Sequence, residues 1–515
     1  MSAKKIFNHI PKLIFNSPWF IIISFSILGL IGILNHSMWR DELNPWLIIR
    51  DSESLPDLIG NIRYEGHPVL WYFSLALLRN IADTPIMMQL FHLGLAISSV
   101  TIFCLYSPFN YRQKFLFSFG YLPFYEYLLI SRNYALGMLF IFAFCAAFPS
   151  RKKTYIILAI LLGLMANSNA YALFISFTLL LTLVFEFCFD IEHRHQYFRQ
   201  NKKYDLFISV AIIISCFILA INIITPPADS YLHGGLSNGW SVTLEIHHLL
   251  KSIGRLFGGY FLIIPTSKRW LDLIVCTLIA LFAIALTLIK LSKKPIPLFF
   301  YTLGTLEILT FAYLRFAGSG LRHFGHFYLV FIAALWLESY YQESSFLSQK
   351  FLISPQTLRF SHKCYSIIFM ATLYMQFFGG IYGFTRDLII PYSASRETSQ
   401  YIRKSQLDQE FIVASRDANM AALSGYLNRK FYYPELQNMG SFTLFKTGRK
   451  EVDQAEILKQ TSSLLNMQKK LNKILLILHQ ELKIKKNDLK ILPIKNFKRA
   501  WVDSERYYLY WVQRE

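Results

Sequence analysis

The sequence predicts an all-α polytopic membrane domain of about eleven spans, with interfacial helices in its first outer loop and a small C-terminal extracytoplasmic α/β domain. Composition is the first observation behind this. Of 515 residues 54% are hydrophobic and 17% aromatic, only 16% are charged, and the mean hydropathy is positive, too little polar surface for a soluble protein of this length. The second observation is the recurrence of long apolar runs from Pro18 to about residue 384. The third is a change of pattern beyond 385, where short apolar runs alternate with charge. Fifty-two Lys and Arg against thirty-two Asp and Glu give a formal charge of +20, but the cations cluster between apolar runs. That distribution is a topology signal, and it excludes nucleic acid as the partner.

Spans are predicted near 18–36, 86–106, 115–130, 133–149, 154–166, 170–189, 206–224, 270–290, 296–314, 324–342 and 364–384. Lys4, Lys5 and Lys12 precede the first run, as in a secretion signal. The following Asn35-His36-Ser37-Met38-Trp39-Arg40 has none of the small residues of a cleavage site, so this span is retained. The brief run 68–82 either spans or lies in the interface. If it lies in the interface, the basic loops at Arg112/Lys114, Arg151-Lys152-Lys153, Arg194 to Lys203, Lys290 to Lys294 and Lys350 to Lys363 all turn cytoplasmic with the N-terminus. The outer face then receives 37–67, 131–134, 167–169, 225–269, 315–323 and everything after 385. These segments hold far more Asp, Glu, His, Asn and Trp than the basic connectors.

The domains are accordingly 1–384, in the membrane, and 385–515, outside it. In the second, Phe411 to Ser415 reads as a strand, Asp417 to Leu427 as a helix and Phe431 to Tyr433 as a strand. Residues 451–472 read as an amphipathic helix, and Ile474 to Leu478 and Tyr507 to Val512 as strands. None of the six cysteines is spaced as a metal clip, and no disulfide framework is implied.

Chemistry-bearing residues gather in the outer segments. Trp39-Arg40-Asp41-Glu42-Leu43-Asn44-Pro45-Trp46 follows the first span, and Arg63-Tyr64-Glu65-Gly66-His67-Pro68-Val69-Leu70 closes the same loop. Carboxylates there are partly desolvated among interfacial aromatics, which suits a base that acts on a hydroxyl. Asp41 and Glu42 could equally cap a helix that starts near Pro45. Arg132, Arg322 and His323 could hold a phosphate or reach to lipid headgroups. The loop 225–269 carries His233 and the adjacent His247-His248, which a helix points about 100° apart, so they form no i, i+4 metal pair.

The order of these motifs resembles the GT-C superfamily of membrane glycosyltransferases, in particular the branch of protein O-mannosyltransferases and the lipid A aminoarabinose transferase. In that branch the first outer loop opens with an acidic pair, here Asp41-Glu42, and closes with a His-Pro-Pro-Leu-like or Glu-Lys-Pro-like element, here Glu65 to Leu70. Looser matches are Ser131-Arg132-Asn133-Tyr134, Asn167-Ser168-Asn169-Ala170 and Gly320-Leu321-Arg322-His323. The resemblance implies an inverting transferase that moves a sugar from a polyprenyl-phosphate donor to a lipid, glycan or protein acceptor at the outer face of a bacterial inner membrane. It implies Asp41 as base, with Glu42 and Glu65 shaping the site, and His67, Arg132, Tyr134, Asn169, His233, Arg322 and His323 as substrate-binding residues. No cofactor is required, and a divalent cation between Asp41 and Glu65 stays open. The competing class is a transporter or flippase, for which Gln89, Glu126, Asn167 and Glu307 could line a path. A third is a sensor whose working part is the outer domain.

Overall fold

A computed structural model describes residues 17–200, 203–230, 245–264, 269–314, 320–344, 355–467 and 471–515. Among them, eight helices are long and apolar enough to cross a membrane: Pro18–Asn35, Ile86–Tyr106, Tyr134–Lys152, Ala170–Phe189, Lys203–Ile224, Trp270–Leu291, Pro295–Leu314 and Phe360–Ile389. Two further described helices pack among these spans. Ile156–Ala166 is short and apolar, and Leu321–Glu338 is buried continuously from Phe324 to Leu337. The helix Lys203–Ile224 buries only 17% of its apolar window in protein, so Ile214, Ile218 and Ile221 face lipid.

The segment expected to span at 115–130 is not one continuous helix. A helix Tyr111–Ser118 stops at Gly120, and a wide turn of π type covers Tyr121–Glu126. Pro123 has no N–H to give a regular ladder. The last span packs directly on this turn through glycines. Gly380 lies against the carbonyl of Phe119, and a Cβ at Gly383 would meet the Tyr125 ring at 2.7 Å.

The loop after the first span folds as short helices, Arg40–Asp51, Leu55–Ile62 and Leu70–Arg79. Leu70–Arg79 has 10 residues, a rise of about 15 Å, half the thickness of a hydrocarbon core. The interfacial reading of 68–82 fits that length.

The C-terminal part forms a sheet of β1 (Ile412–Ser415), β2 (Phe431–Tyr433), β3 (Asn438–Gly440), β4 (Lys473–Leu478), β5 (Leu489–Phe497) and β6 (Tyr507–Arg514), in the order β3-β2-β1-β4-β6-β5. The pairs β2-β1 and β1-β4 are parallel, the others antiparallel. Alternation along β1 and β4 sends Ile412, Ala414, Leu475 and Ile477 to one face, under Met420 and Leu423 of the helix Asp417–Leu427. It sends Val413, Ile474 and Leu476 to the other, under Ile457 and Leu465 of the helix Gln454–Met467. The domain rests on the acidic-pair helix Arg40–Asp51: Gly425 lets Leu43 approach, and the Thr443 backbone exchanges hydrogen bonds with Asn44.

Candidate active site

The helix Arg40–Asp51 divides the acidic pair between two tasks. Glu42, at its third position, is 0% exposed; its Oε2 accepts from the Trp39 amide at 3.1 Å and its Oε1 from the Ser131 amide at 2.7 Å. Oε2 also meets His36 Nε2 at 2.9 Å, while His36 Nδ1 meets Asp387 at 2.9 Å. Glu42 is therefore the cap, and it also ties the first span, the loop that carries Arg132 and the end of the last span into one buried chain. Asp41 turns the other way. Its carboxylate is 27% exposed, pairs with Arg322 at 3.1 Å and lies 3.7 Å from Arg40.

Around Asp41 the structure collects most of the residues singled out in the sequence. Arg132 donates to the Asp41 carbonyl and, at 3.0 Å, to His67 Nε2. Tyr134 meets His323 at 2.7 Å, and His323 stacks on Tyr171 with ring centroids 5.4 Å apart. Glu65 accepts from Asn44 at 2.9 Å and Tyr72 at 3.4 Å. Arg322 lies over the Trp39 ring at 5.4 Å. Asn169 behaves differently: fully buried, it caps the helix Ala170–Phe189 by accepting from the Ala172 amide at 2.9 Å, and its amide nitrogen abuts Gly137. His233 lies outside the described residues. His247 and His248 do point apart, toward Trp270 and the Tyr313 carbonyl.

Electrostatics separate the two exposed-face carboxyls. Burial works against ionisation of Asp41, but the guanidinium groups of Arg322, Arg132 and Arg40 outweigh it and hold its pKa below the usual carboxylate range. Glu65 is pushed up to about 7, because burial dominates and Arg132 only partly compensates. His67 is held at about 3 by burial and by the charges of Arg132 and Arg322. A neutral His67 that accepts from Arg132 at Nε2 carries its proton on Nδ1, and that atom is buried without a partner among the described residues.

Sequence reasoning missed His36, Asp387, Asn44 and Trp39 as parts of this site. Asn44 was within reach, since it stands three residues after Asp41 on one helix face. Asp387, 351 positions from His36, has no such signal.

The structure is thus a helical membrane bundle that presents an acid–arginine cluster beneath a small α/β domain. The chain shares its fold with ArnT from Cupriavidus metallidurans, a protein solved bound to undecaprenyl phosphate. The two match with a TM-score of 0.52 and 9% sequence identity over 96% of this chain and 97% of that one. No protein-family model matches the chain, and no characterised protein matches it in sequence.

Proposed function

We propose that this integral membrane protein is an inverting glycosyltransferase that moves a sugar from a polyprenyl-phosphate carrier to an acceptor hydroxyl at the extracytoplasmic face of a bacterial inner membrane. One observation carries the reading: a carboxylate and a guanidinium, Asp41 and Arg322, meet at 3.1 Å in a partly open site flanked by Arg132 and His67. The fold shared with a protein that binds undecaprenyl phosphate supports the donor class.

In this mechanism the donor phosphate competes for Arg322 and draws it off Asp41. Losing that cation raises the carboxylate's basicity at the moment a substrate arrives. Asp41 then takes the proton of the acceptor hydroxyl as its oxygen bonds to the anomeric carbon. The bond from that carbon to the phosphate oxygen breaks on the opposite face, and polyprenyl phosphate leaves with the electron pair, stabilised by Arg322. The Nδ1–H of His67 is a donor for a sugar hydroxyl, and Tyr134 with His323 lines the same side. Glu42 acts by positioning Arg132 through Ser131, and Asn169 by fixing a helix start.

A divalent ion between Asp41 and Glu65 belongs to this proposal only as an alternative, since Arg322 and Arg132 already supply positive charge there. The division into a transferase domain, 1–384, and an outer domain, 385–515, with a cytoplasmic N-terminus, is part of the proposal itself. The polar residues that a carrier would need along a path are engaged locally. Gln89 donates to the Ile33 carbonyl at 2.9 Å, Asn167 to the Gly163 carbonyl at 2.9 Å, and Glu307 accepts from Thr178 at 2.6 Å. The test is incubation of the purified protein with a panel of radiolabelled polyprenyl-phosphate sugars and membrane acceptors. Labelled product is expected from wild type and not from Asp41→Asn, and full activity in that variant refutes the assignment of the base.

A further inference from the structure

The chain runs from β1 through the helix Asp417–Leu427 to β2 on one side, then through the helix Gln454–Met467 back across to β4 on the other. The two helices cover opposite faces of the sheet. Strand order therefore reverses between β1 and β4, and in sheets wound this way the crevice beyond the carboxyl ends at the reversal is where ligands bind. The residues that follow these two strands are Arg416 and His479.

Their side chains are set up as donors. The Arg416 amide donates to His479 Nδ1 at 3.2 Å, the pairing in which a neutral ring carries its proton on Nε2. Burial, together with the charges of Arg416 and Arg40, holds the imidazole below its ordinary pKa, so it stays neutral. Arg416 gives Nε and Nη2 to Glu451 and leaves Nη1 uncommitted; its side chain is 46% exposed. Of the buried carboxyl groups nearby, Asp417 is neutralised by Arg449 at 2.7 Å and Glu435 accepts from Ser415 at 2.6 Å. The third donor comes from the membrane domain. Arg40 reaches Ser504 at 3.3 Å, and the Ser504 carbonyl accepts from Asn419 in the first turn of the helix after β1. The next residue after Arg40 is Asp41, 3.7 Å from its guanidinium.

We propose that Arg416, His479 and Arg40 form an acceptor subsite in the β1/β4 crevice that binds an oxyanion, a phosphate or carboxylate, carried by the acceptor at a distance from its attacking hydroxyl. The three groups offer only donors toward the crevice, and Arg40 joins it to the transfer site. An acceptor held at both ends presents its hydroxyl to Asp41 in one orientation. This inference rests on the transferase reading, and its test is a binding measurement that does not need turnover.

The full-length protein in uncharged detergent is titrated with dihexanoyl phosphatidic acid, glucose 1-phosphate, inorganic phosphate and glucose, for wild type, Arg416→Gln, His479→Gln and Arg416→Lys. Affinity for undecaprenyl phosphate and the thermal midpoint are measured alongside. The expectation is that one or both organic phosphates bind at least tenfold more tightly than glucose and inorganic phosphate. Each Gln variant weakens that binding about tenfold, as loss of a charge-assisted or neutral donor should. Arg416→Lys retains part of it, and undecaprenyl phosphate affinity and the midpoint stay unchanged. Preference for the lipid phosphate identifies a lipid headgroup, and preference for the sugar phosphate a glycan. Inorganic phosphate binding as tightly as both overturns the assignment to an acceptor. Gln variants that bind every probe as wild type does overturn the site. Failure of transfer with intact crevice binding bears on the transferase reading alone.

Discussion

Separating Asp41 from Arg322 gives effects of opposite sign on donor binding and on chemistry. The pair stands 3.1 Å apart with side chains 27% and 20% exposed. Coulomb attraction at that separation and an effective dielectric near 20 is about 5 kcal/mol, most of which is offset by desolvation. A net value of about 1 kcal/mol is what the donor phosphate must overcome to take Arg322 from Asp41. Asp41→Asn removes that competitor, so affinity for polyprenyl phosphate should rise about fivefold. The same change removes the base and should lower kcat by roughly 100- to 10,000-fold. Arg322→Gln should do the reverse to binding, weakening the carrier by about 10- to 100-fold through loss of a charge-assisted contact. The assay pairs equilibrium binding of undecaprenyl phosphate with single-turnover transfer of labelled sugar, each variant checked for normal membrane insertion. Carrier affinity unchanged in Arg322→Gln would mean that this arginine serves lipid headgroups. Weaker carrier binding in Asp41→Asn would refute the competition.

Glu65, with its pKa raised from 4.5 to about 7 by burial, holds a proton in the folded state that the unfolded chain has released. Wild-type stability should therefore decline as pH rises from about 4.5 to 7, and Glu65→Gln should flatten the profile; thermal midpoints across pH 4 to 8 check this, and a parallel decline in the variant contradicts it. His36 bridges two buried carboxylates at 2.9 Å each. His36→Phe should cost about 3–5 kcal/mol by leaving them unpaired, read as a lowered thermal midpoint and poor yield, and an unchanged midpoint counts against the buried chain. Because arginines supply the cationic charge, activity should survive EDTA; loss that is restored by a divalent ion would establish the metal alternative.

Much of the C-terminal α/β part was legible in the sequence because its signals are local. The helix Asp417–Leu427 and the strand at Phe431–Tyr433 lie where apolar spacing and turn residues place them. The edge strand β5 was not legible: only Leu489 and Phe497 in it are buried, and Lys and Pro interrupt its alternation. Likewise the run 115–130 has the apolarity of a span, but its break depends on glycines of a helix more than 250 residues later.

What the sequence determined by itself is the membrane class, the helical bundle with its appended α/β domain, and the presence of acid, histidine and arginine motifs in segments that share one end. Hydropathy and side-chain period are properties of short windows, so they survive without tertiary information. Only the tertiary structure decided which member of Asp41-Glu42 faces the site, because that depends on Ser131, His36 and Asp387 closing around one carboxylate and Arg322 approaching the other. Neighbours in the chain with the same chemistry become different groups when long-range contacts give one a full set of hydrogen bonds and leave the other a cation and an opening.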